Sequence, residues 1–222
     1  MMPPQAFPVF FTSFVVLGLS GVFYAAWRGD KKRNAAMETV ARTMGFSYIE
    51  KCSDAELGSL AGNMPLFNRG HSRKGKRLLT GRIADRDCHI MDYQYITGGG
   101  KSSHTHMQTI VLLDQTGTKL PDFTLSPENV LHRLAEMFGY QDIDFESHPD
   151  FSKHYLLRGK DEAAIRQAFT LDVLSLMGAT TGWHVEACDG RLAIYREGRF
   201  NEPGQTPSYA AEALRVAGAF KT

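Results

Sequence analysis

A run of 19 residues near the start of the chain, residues 9–27, is nearly all apolar or small and carries no charged side chain. As an α-helix it would extend roughly 28 Å, which matches the hydrocarbon thickness of a bilayer. Tyr24 and Trp27 lie near one end, where amphipathic rings favour the membrane interface. The run therefore predicts a transmembrane helix over residues 9–27, within a membrane anchor of residues 1–33 that ends in a basic flank.

Two other interpretations of this run fit less well. A cleaved signal peptide carries positive charge before its apolar part, and a buried core helix shows a polar stripe. In this chain four basic residues follow the run instead: Arg28, Lys31, Lys32 and Arg33. Because cationic flanks stay in the cytoplasm, the sequence predicts a bacterial inner-membrane protein with its N-terminus outside and its main domain, residues 34–222, in the cytoplasm. Three sparse cysteines agree with a reducing compartment.

Residues 34–222 suffice for one sizeable domain. Turn signals alternate there with runs rich in β-branched and aromatic residues, which predicts antiparallel strands. The predicted meander covers residues 65–70, 76–85, 87–97 and 102–114, with a further strand at 155–157. No strand–helix–strand repeat of a parallel sheet occurs. The predicted fold class is α+β: a transmembrane helix, then a domain with an antiparallel meander sheet, a C-terminal hairpin and covering helices.

Capping residues and apolar periodicity predict the helices of this domain. The segment 35–46 follows the anchor and ends near Gly45, either extending the membrane helix or restarting after Gly29. Ser126 is interpreted as the N-cap of a helix that has Pro127 at its first position and ends at Gly139. Further helices are predicted over residues 53–63, 161–169, 170–178 and 207–220.

The C-terminal hairpin is the clearest local signal. Asp189 and Gly190 are the residue pair of a two-residue type I′ turn. Pairing Cys188 with Arg191 then forms one face that is apolar throughout, so its register is well specified. That face consists of Trp183, Val185, Ala187, Leu192 and Ile194.

A glycine-rich segment, "DYQYITGGGKSSHTHMQTIVLL" at residues 92–113, suggests phosphate binding at first. A P-loop needs G-x-x-x-x-G-K-[ST] leading into a helix. Tyr95 occupies the position of its first glycine, and the residues that follow have strand character. The three glycines predict a hairpin turn with positive φ angles.

Tyrosine and histidine side chains of this predicted hairpin share one face of the sheet. If Thr97 pairs with Ser102, each tyrosine lies opposite a histidine. The face consists of Tyr93, Tyr95, His104 and His106. His89 has the same parity and is a possible third metal ligand, since His-x-His alone supplies two. The face is interpreted as a binding surface in contact with solvent or a partner, with metal binding as the alternative.

A second basic cluster, "RGHSRKGKR", is predicted to be a hairpin turn. Two roles remain open for it: a solvated turn, or a surface that lies against anionic headgroups together with the basic flank of the anchor. Its charged residues are Arg69, Arg73, Lys74, Lys76 and Arg77. Nucleic acid is disfavoured, because the net charge is only +1 and no aromatic residues interleave with these charges.

Three segments resemble uncharacterised bacterial proteins that have one N-terminal transmembrane helix and a cytoplasmic α+β domain. They are "DYQYITGGGKSSHTHMQTI", "LPDFTLSPE" and "FGYQDIDFESHPDFSKHYLLRGKDEAAIRQAF". The resemblance covers residues 38–200 and implies an architecture and an inner-membrane location. It implies no activity, cofactor or catalytic residue.

These observations predict a non-enzymatic, single-pass membrane protein. No nucleophile elbow is present, and Cys88 and His89 point to opposite faces of a strand. The predicted role is an accessory or assembly subunit that contacts the bilayer and another membrane or cytoplasmic protein, without a cofactor. Two alternatives are a metal-binding protein or enzyme that uses His104 and His106, and a module that binds anionic lipid or a small ligand through the basic cluster.

Overall fold

The computed structural model describes residues 6–115, 120–128 and 142–220, with side chains from residue 24 onward. The helices are α1 (Ala6–Met44), α2 (Asp54–Ala61), α3 (Pro65–Asn68), α4 (Pro149–His154), α5 (Glu162–Ala168), α6 (Leu171–Ala179) and α7 (Thr206–Ala219). The strands are β1 (Ser47–Lys51), β2 (His71–Ile83), β3 (Arg86–Thr97), β4 (His104–Asp114), β5 (Phe123–Pro127), β6 (Tyr155–Gly159), β7 (His184–Cys188) and β8 (Arg191–Tyr195).

These strands form one eight-stranded antiparallel sheet in the order β1-β2-β3-β4-β8-β7-β5-β6. The first four strands follow each other as a meander. The C-terminal hairpin joins this meander to β5 and β6, because β8 pairs with β4 and β7 pairs with β5. The predicted α+β class, with its antiparallel meander and C-terminal hairpin, is confirmed.

Both faces of the sheet are covered, and this explains why charged residues of β7 are buried. The larger core lies between the sheet and helices that include α1, α6 and α7. A smaller core lies on the other face, where Leu66 and Phe67 of α3 pack near Met91 and Tyr93. Strands β7 and β8 are buried on both faces as a result.

The hairpin of β7 and β8 has the predicted register. Cys188 pairs with Arg191, and Val185 pairs with Ile194. The apolar face of the hairpin, including Trp183, belongs to the larger core. Asp189 and Gly190 have positive φ angles of 50° and 79°, as a type I′ turn requires.

The predicted strand over residues 65–70 and the predicted turn at Gly75 are wrong. Residues 65–68 form α3, which begins with a proline at its first turn. Gly75 lies inside β2, where a Cβ atom would come within 3.1 Å of the Cys52 sulfur. The glycine therefore permits a close approach of the β1–α2 connection, and it makes no turn.

The predicted helix that begins at Ser126 is wrong at its start. Ser126 and Pro127 end strand β5, where they pair with Leu156 and Tyr155 of β6. A proline is tolerated at such a strand end because few ladder hydrogen bonds follow it. The rest of that predicted helix, residues 129–139, lies outside the described residues.

Helix α1 continues without a break through Gly29 and ends at Gly45, which has a φ angle of +71°. Of the two predicted alternatives, extension of the N-terminal helix is therefore correct. Most side chains of the predicted membrane span, residues 9–27, lie outside the described part of the chain. In the described part, no helix is both long and apolar enough to cross a membrane.

Candidate functional site

The Tyr/His face has a different register from the predicted one. Thr97 pairs with His104, so Tyr95 lies opposite His106 and Tyr93 lies opposite Gln108. The shift arises because Gly100–Ser102 form a short 3₁₀ turn, which lengthens the loop. Gly98 and Gly100 have positive φ angles, as predicted for the turn glycines.

Most of this face is covered by protein. Tyr93, Tyr95 and His106 are buried, whereas His104 is exposed. The rings of Tyr95 and His106 stack with their centroids 4.5 Å apart and their planes inclined by 3°. The prediction of an open surface is therefore wrong for three of its four residues. Phe67 of α3 packs against Tyr93, and His106 lies between Tyr95 and Glu197.

Both ring nitrogens of His106 form hydrogen bonds. Nε2 lies 2.8 Å from the Thr97 hydroxyl, and Nδ1 contacts the Glu197 carboxylate. His89 pairs with Leu112, which is roughly 20 Å further along β4. Among the described side chains, no third ligand joins His104 and His106, so the geometry does not support a metal site there.

One other trio of potential ligands lies together, at the turn of the C-terminal hairpin. Ligand atoms of Asp122, Cys188 and Asp189 lie within 4.8 Å of one another. Burial raises the pKa of the Cys188 thiol to about 11, which keeps it protonated. The Asp189 carboxylate accepts a hydrogen bond from Asn63. The trio is therefore poorly suited to a metal ion, because its thiol stays protonated and one of its carboxylates is bonded to Asn63.

A buried carboxylate, Glu186, ties α3 to the sheet. Its Oε1 accepts from Arg69 at 2.5 Å and from the Tyr195 hydroxyl at 3.0 Å. Its Oε2 accepts from the Leu66 backbone N–H at 2.8 Å. Burial alone would lower the pKa of Arg69, but Tyr195 and Glu186 raise it above its ordinary value. Arg69 is therefore a charged residue whose role is structural.

His184 is buried beside this cluster. Its ring stacks on that of Tyr195 at 4.7 Å, and its Nδ1 has no hydrogen-bond partner. Burial, with the nearby Arg69 charge, lowers the pKa of His184 from 6.5 to about 3. The Glu197 carboxylate, at 3.9 Å, is too distant for a hydrogen bond and already contacts His106. His184 is therefore neutral in the folded protein.

This neutral histidine predicts a loss of stability in mild acid. The unfolded chain takes up a proton at His184 near pH 6.5, whereas the folded chain does not until about pH 3. Stability is therefore full above pH 6.5 and falls as the pH decreases towards 3. We expect His184 to lower the free energy of unfolding by about 2 kcal/mol between pH 7 and pH 5. Denaturant titrations at both pH values should show this loss, and His184→Phe should remove it. An equal loss in the variant would contradict the assignment.

The junction of α1 with the sheet is built around a second buried carboxylate, Asp92 of β3. Its Oδ2 accepts from the Nε of Arg33 at 2.7 Å and from the Nε of Arg77 at 2.6 Å. Its Oδ1 accepts from Arg33 and from the Thr109 hydroxyl. Two arginines from different elements thus share one carboxylate that is only 1% exposed.

The junction extends one turn towards the N-terminus of α1. Asp30 accepts from Arg77 at 2.6 Å and from Lys76 at 3.1 Å. Burial would raise the pKa of Asp30, but these two cations lower it. The guanidinium groups of Arg33 and Arg77 also lie over the Phe200 ring. We call Asp30, Arg33, Arg77, Asp92 and Thr109 the helix–sheet junction.

The structure divides the predicted membrane-surface residues into two groups. The first group forms contacts with carboxylates of the protein and contains Arg33, Arg69, Lys76 and Arg77. The second group is exposed and contains Arg28, Lys31, Lys32, Arg73 and Lys74. Arg77 could not lie in a solvated turn, because it sits in β2 at a register irregularity with a φ angle of +52°.

Sequence reasoning missed the two carboxylates that organise these clusters. A signal was present, since Asp92 interrupts the apolar run "CHIMDYQY" and Glu186 lies in "WHVEAC". A charged residue within an apolar strand needs a partner if that strand is buried on both faces. The predicted α+β fold does not specify that both faces of the sheet are covered, so it requires no buried partner for either carboxylate.

The fold resembles that of the mycobacterial trehalose monomycolate transport factor A, TtfA, whose crystal structure is known. The two superpose with a TM-score of 0.59 over 87% of this chain and 93% of that chain, at 13% sequence identity. At this identity the likeness shows a common fold. No protein-family model and no curated protein sequence matches the chain.

Proposed function

We propose that the protein is a non-enzymatic, single-pass inner-membrane protein whose domain acts on the cytoplasmic side as an accessory or assembly subunit of a membrane complex. The observation that carries this proposal is the helix–sheet junction. It continues the predicted anchor into the domain by burying an ionic contact between Arg33 of α1 and Asp92 of the sheet.

The junction supports a structural role for α1 beyond tethering. A flexible tether would leave the orientation of the domain free, and it would need no buried contacts. Here Met37 and Ala41 of α1 are fully buried in the larger core. One continuous helix that is both anchor and core element suits a protein that presents a defined surface to a neighbour in the membrane.

Two further observations support the proposal. The apolar run of residues 9–27 has the length and the basic flank of a membrane span. The protein with the similar fold, TtfA, is described as a transport factor. The fold likeness by itself transfers no activity. The hydrogen-bonded, inward-facing state of His106 agrees with a non-catalytic role for this chain.

Membrane fractionation and crosslinking in native membranes test this proposal. We expect the full chain to stay in the membrane pellet after an alkaline wash, because an apolar helix resists extraction. A phosphatase fused at the C-terminus should be inactive, since it would remain in the cytoplasm. A photoreactive residue at Leu171, which is 69% exposed, should give a discrete heteromeric adduct.

The same photoreactive residue at Val185, which is fully buried, is the matched control and should give no adduct. Extraction by the alkaline wash would contradict the anchor, and an active phosphatase would contradict its orientation. Crosslinking that yields only the monomer from all exposed positions would contradict the role as a subunit.

A further inference from the structure

A basic pocket lies at the start of β2, beside the helix–sheet junction. It has a volume of about 380 Å³ and is lined by residues of β1, β2 and the start of α2. Its charged lining residues are Lys51, Asp54, Arg73, Lys74 and Lys76. Four cations therefore face one carboxylate in a cavity large enough for a small polar group.

Three of these four cations have no carboxylate partner among the described residues. Lys51 and Lys74 are exposed, and their ammonium groups form no ion pair or hydrogen bond there. Arg73 donates only to backbone carbonyls, those of Phe67 and Gly70. This contrasts with Arg33, Arg69 and Arg77, each of which contacts a buried carboxylate.

The carbonyl contacts hold the Arg73 guanidinium in place without neutralising it. Arg73 Nη1 lies 2.8 Å from the Phe67 carbonyl, and Nε lies 3.2 Å from that of Gly70. A positioned guanidinium with spare donors suits the geometry of a phosphate group. Lys51 and Lys74 supply point charges around it.

The pocket lies close to the level at which α1 would enter the bilayer. Lys76, on its wall, is bonded to Asp30 of α1. Asp30 is three residues beyond Trp27, a distance of roughly 4.5 Å along the helix axis. Trp27 is 55% exposed and lies beside Lys31, with a cation–ring distance of 4.8 Å. An exposed tryptophan with adjacent cations is typical of the headgroup region.

We infer that the pocket formed by Lys51, Arg73, Lys74 and Lys76 binds the phosphate group of an anionic lipid headgroup. The choice of a lipid source rests on the proposed membrane anchor, whereas the phosphate chemistry rests on the pocket alone. The bound lipid would lie in the leaflet that α1 enters. It would thereby fix the rotation of the domain about the helix axis.

The full chain in a nonionic detergent provides the test. Dioctanoyl phosphatidylglycerol and dioctanoyl phosphatidylcholine are added separately, and bound lipid is measured by native mass spectrometry. We expect phosphatidylglycerol to bind with one-to-one stoichiometry and phosphatidylcholine to bind weakly. The double variant Lys51→Gln with Lys74→Gln should bind phosphatidylglycerol about thirtyfold more weakly. Neither lysine has an internal partner, so the variant should remain as stable as the parent.

The control double variant, Arg82→Gln with Lys153→Gln, removes two exposed charges outside the pocket. It should bind phosphatidylglycerol as the parent does. Equal binding by both double variants, or no preference between the two lipids, would contradict phosphate binding in this pocket. Glycerol phosphate and inorganic phosphate are tested in parallel. If either competes as well as the lipid, the phosphate site stands and the lipid source is overturned.

These outcomes are separate from those of the proposed function. The lipids used here are short-chain and soluble, so their binding is measured whether or not α1 spans a membrane. Loss of the chain from membranes in the alkaline wash would contradict the proposed anchor, but it would not affect the measured phosphate affinity. Conversely, if the chain stays in the membrane but binds no phosphate compound, only the proposed phosphate site is contradicted.

Discussion

Asp92→Ala is expected to lower the free energy of unfolding by about 3–5 kcal/mol, because it leaves two buried guanidinium groups without their shared acceptor. The side chains of Arg33 and Arg77 are 17% and 2% exposed, so water cannot fully replace the carboxylate. The Thr109 hydroxyl would lose its acceptor as well. Denaturant unfolding of the full chain in detergent, followed by the fluorescence of the buried Trp183, measures the loss.

A carboxylate on the same strand offers the matched control for Asp92. Asp87 lies 3.6 Å from Arg82, and both side chains are more than half exposed. Asp87→Ala should therefore change the free energy of unfolding by less than about 1 kcal/mol. If Asp92→Ala and Asp87→Ala were equally stable, the helix–sheet junction would not be the contact that fastens α1 to the domain.

Glu186→Ala should have a comparable effect on the other face of the sheet. The variant removes the acceptor of the Arg69 guanidinium, the Tyr195 hydroxyl and the Leu66 N–H together. We expect the free energy of unfolding to fall by about 3–5 kcal/mol, because the Arg69 charge would remain buried without its partner. Hydrogen exchange at the Leu66 N–H should also accelerate, because that N–H is held by the Glu186 side chain.

The control for Glu186 is Glu212→Ala. Glu212 contacts Arg196 at 3.4 Å, and the two side chains are 46% and 45% exposed. Loss of this half-exposed pair should cost less than about 1 kcal/mol and leave exchange at Leu66 unchanged. Unchanged exchange at Leu66 in Glu186→Ala would show that α3 is held by apolar contacts alone.

Local sequence signals predicted the elements whose cause is local. Asp189 and Gly190 specify a type I′ turn whatever surrounds them, and the alternating apolar residues on either side set the register of β7 and β8. Gly45 ended α1 as expected, since a positive φ angle after a helix favours glycine. The α+β class followed from these elements and their order.

The candidate sites were less predictable because their contacts join distant parts of the chain. Arg33 and Asp92 are 59 residues apart, and Arg69 and Glu186 are 117 apart. No local pattern distinguishes an arginine that will be buried against such a partner from one that will remain exposed. The register of the Tyr/His hairpin failed for a local reason, since three glycines are compatible with several loop lengths.

The position of β8 beside β4 has a consequence for how the chain folds as it leaves the ribosome. Strands β1 to β4 are contiguous in sequence and can pair as soon as they are made, whereas Arg191 is synthesised 77 residues after its partner Asp114. At typical translation rates the open edge of β4 waits roughly 4 to 15 s for its neighbour. A half-built sheet with an unpaired apolar edge, which contains Val111 and Leu113, is a template for pairing with the wrong chain. A chaperone that covers this edge would be most useful to the protein during that interval.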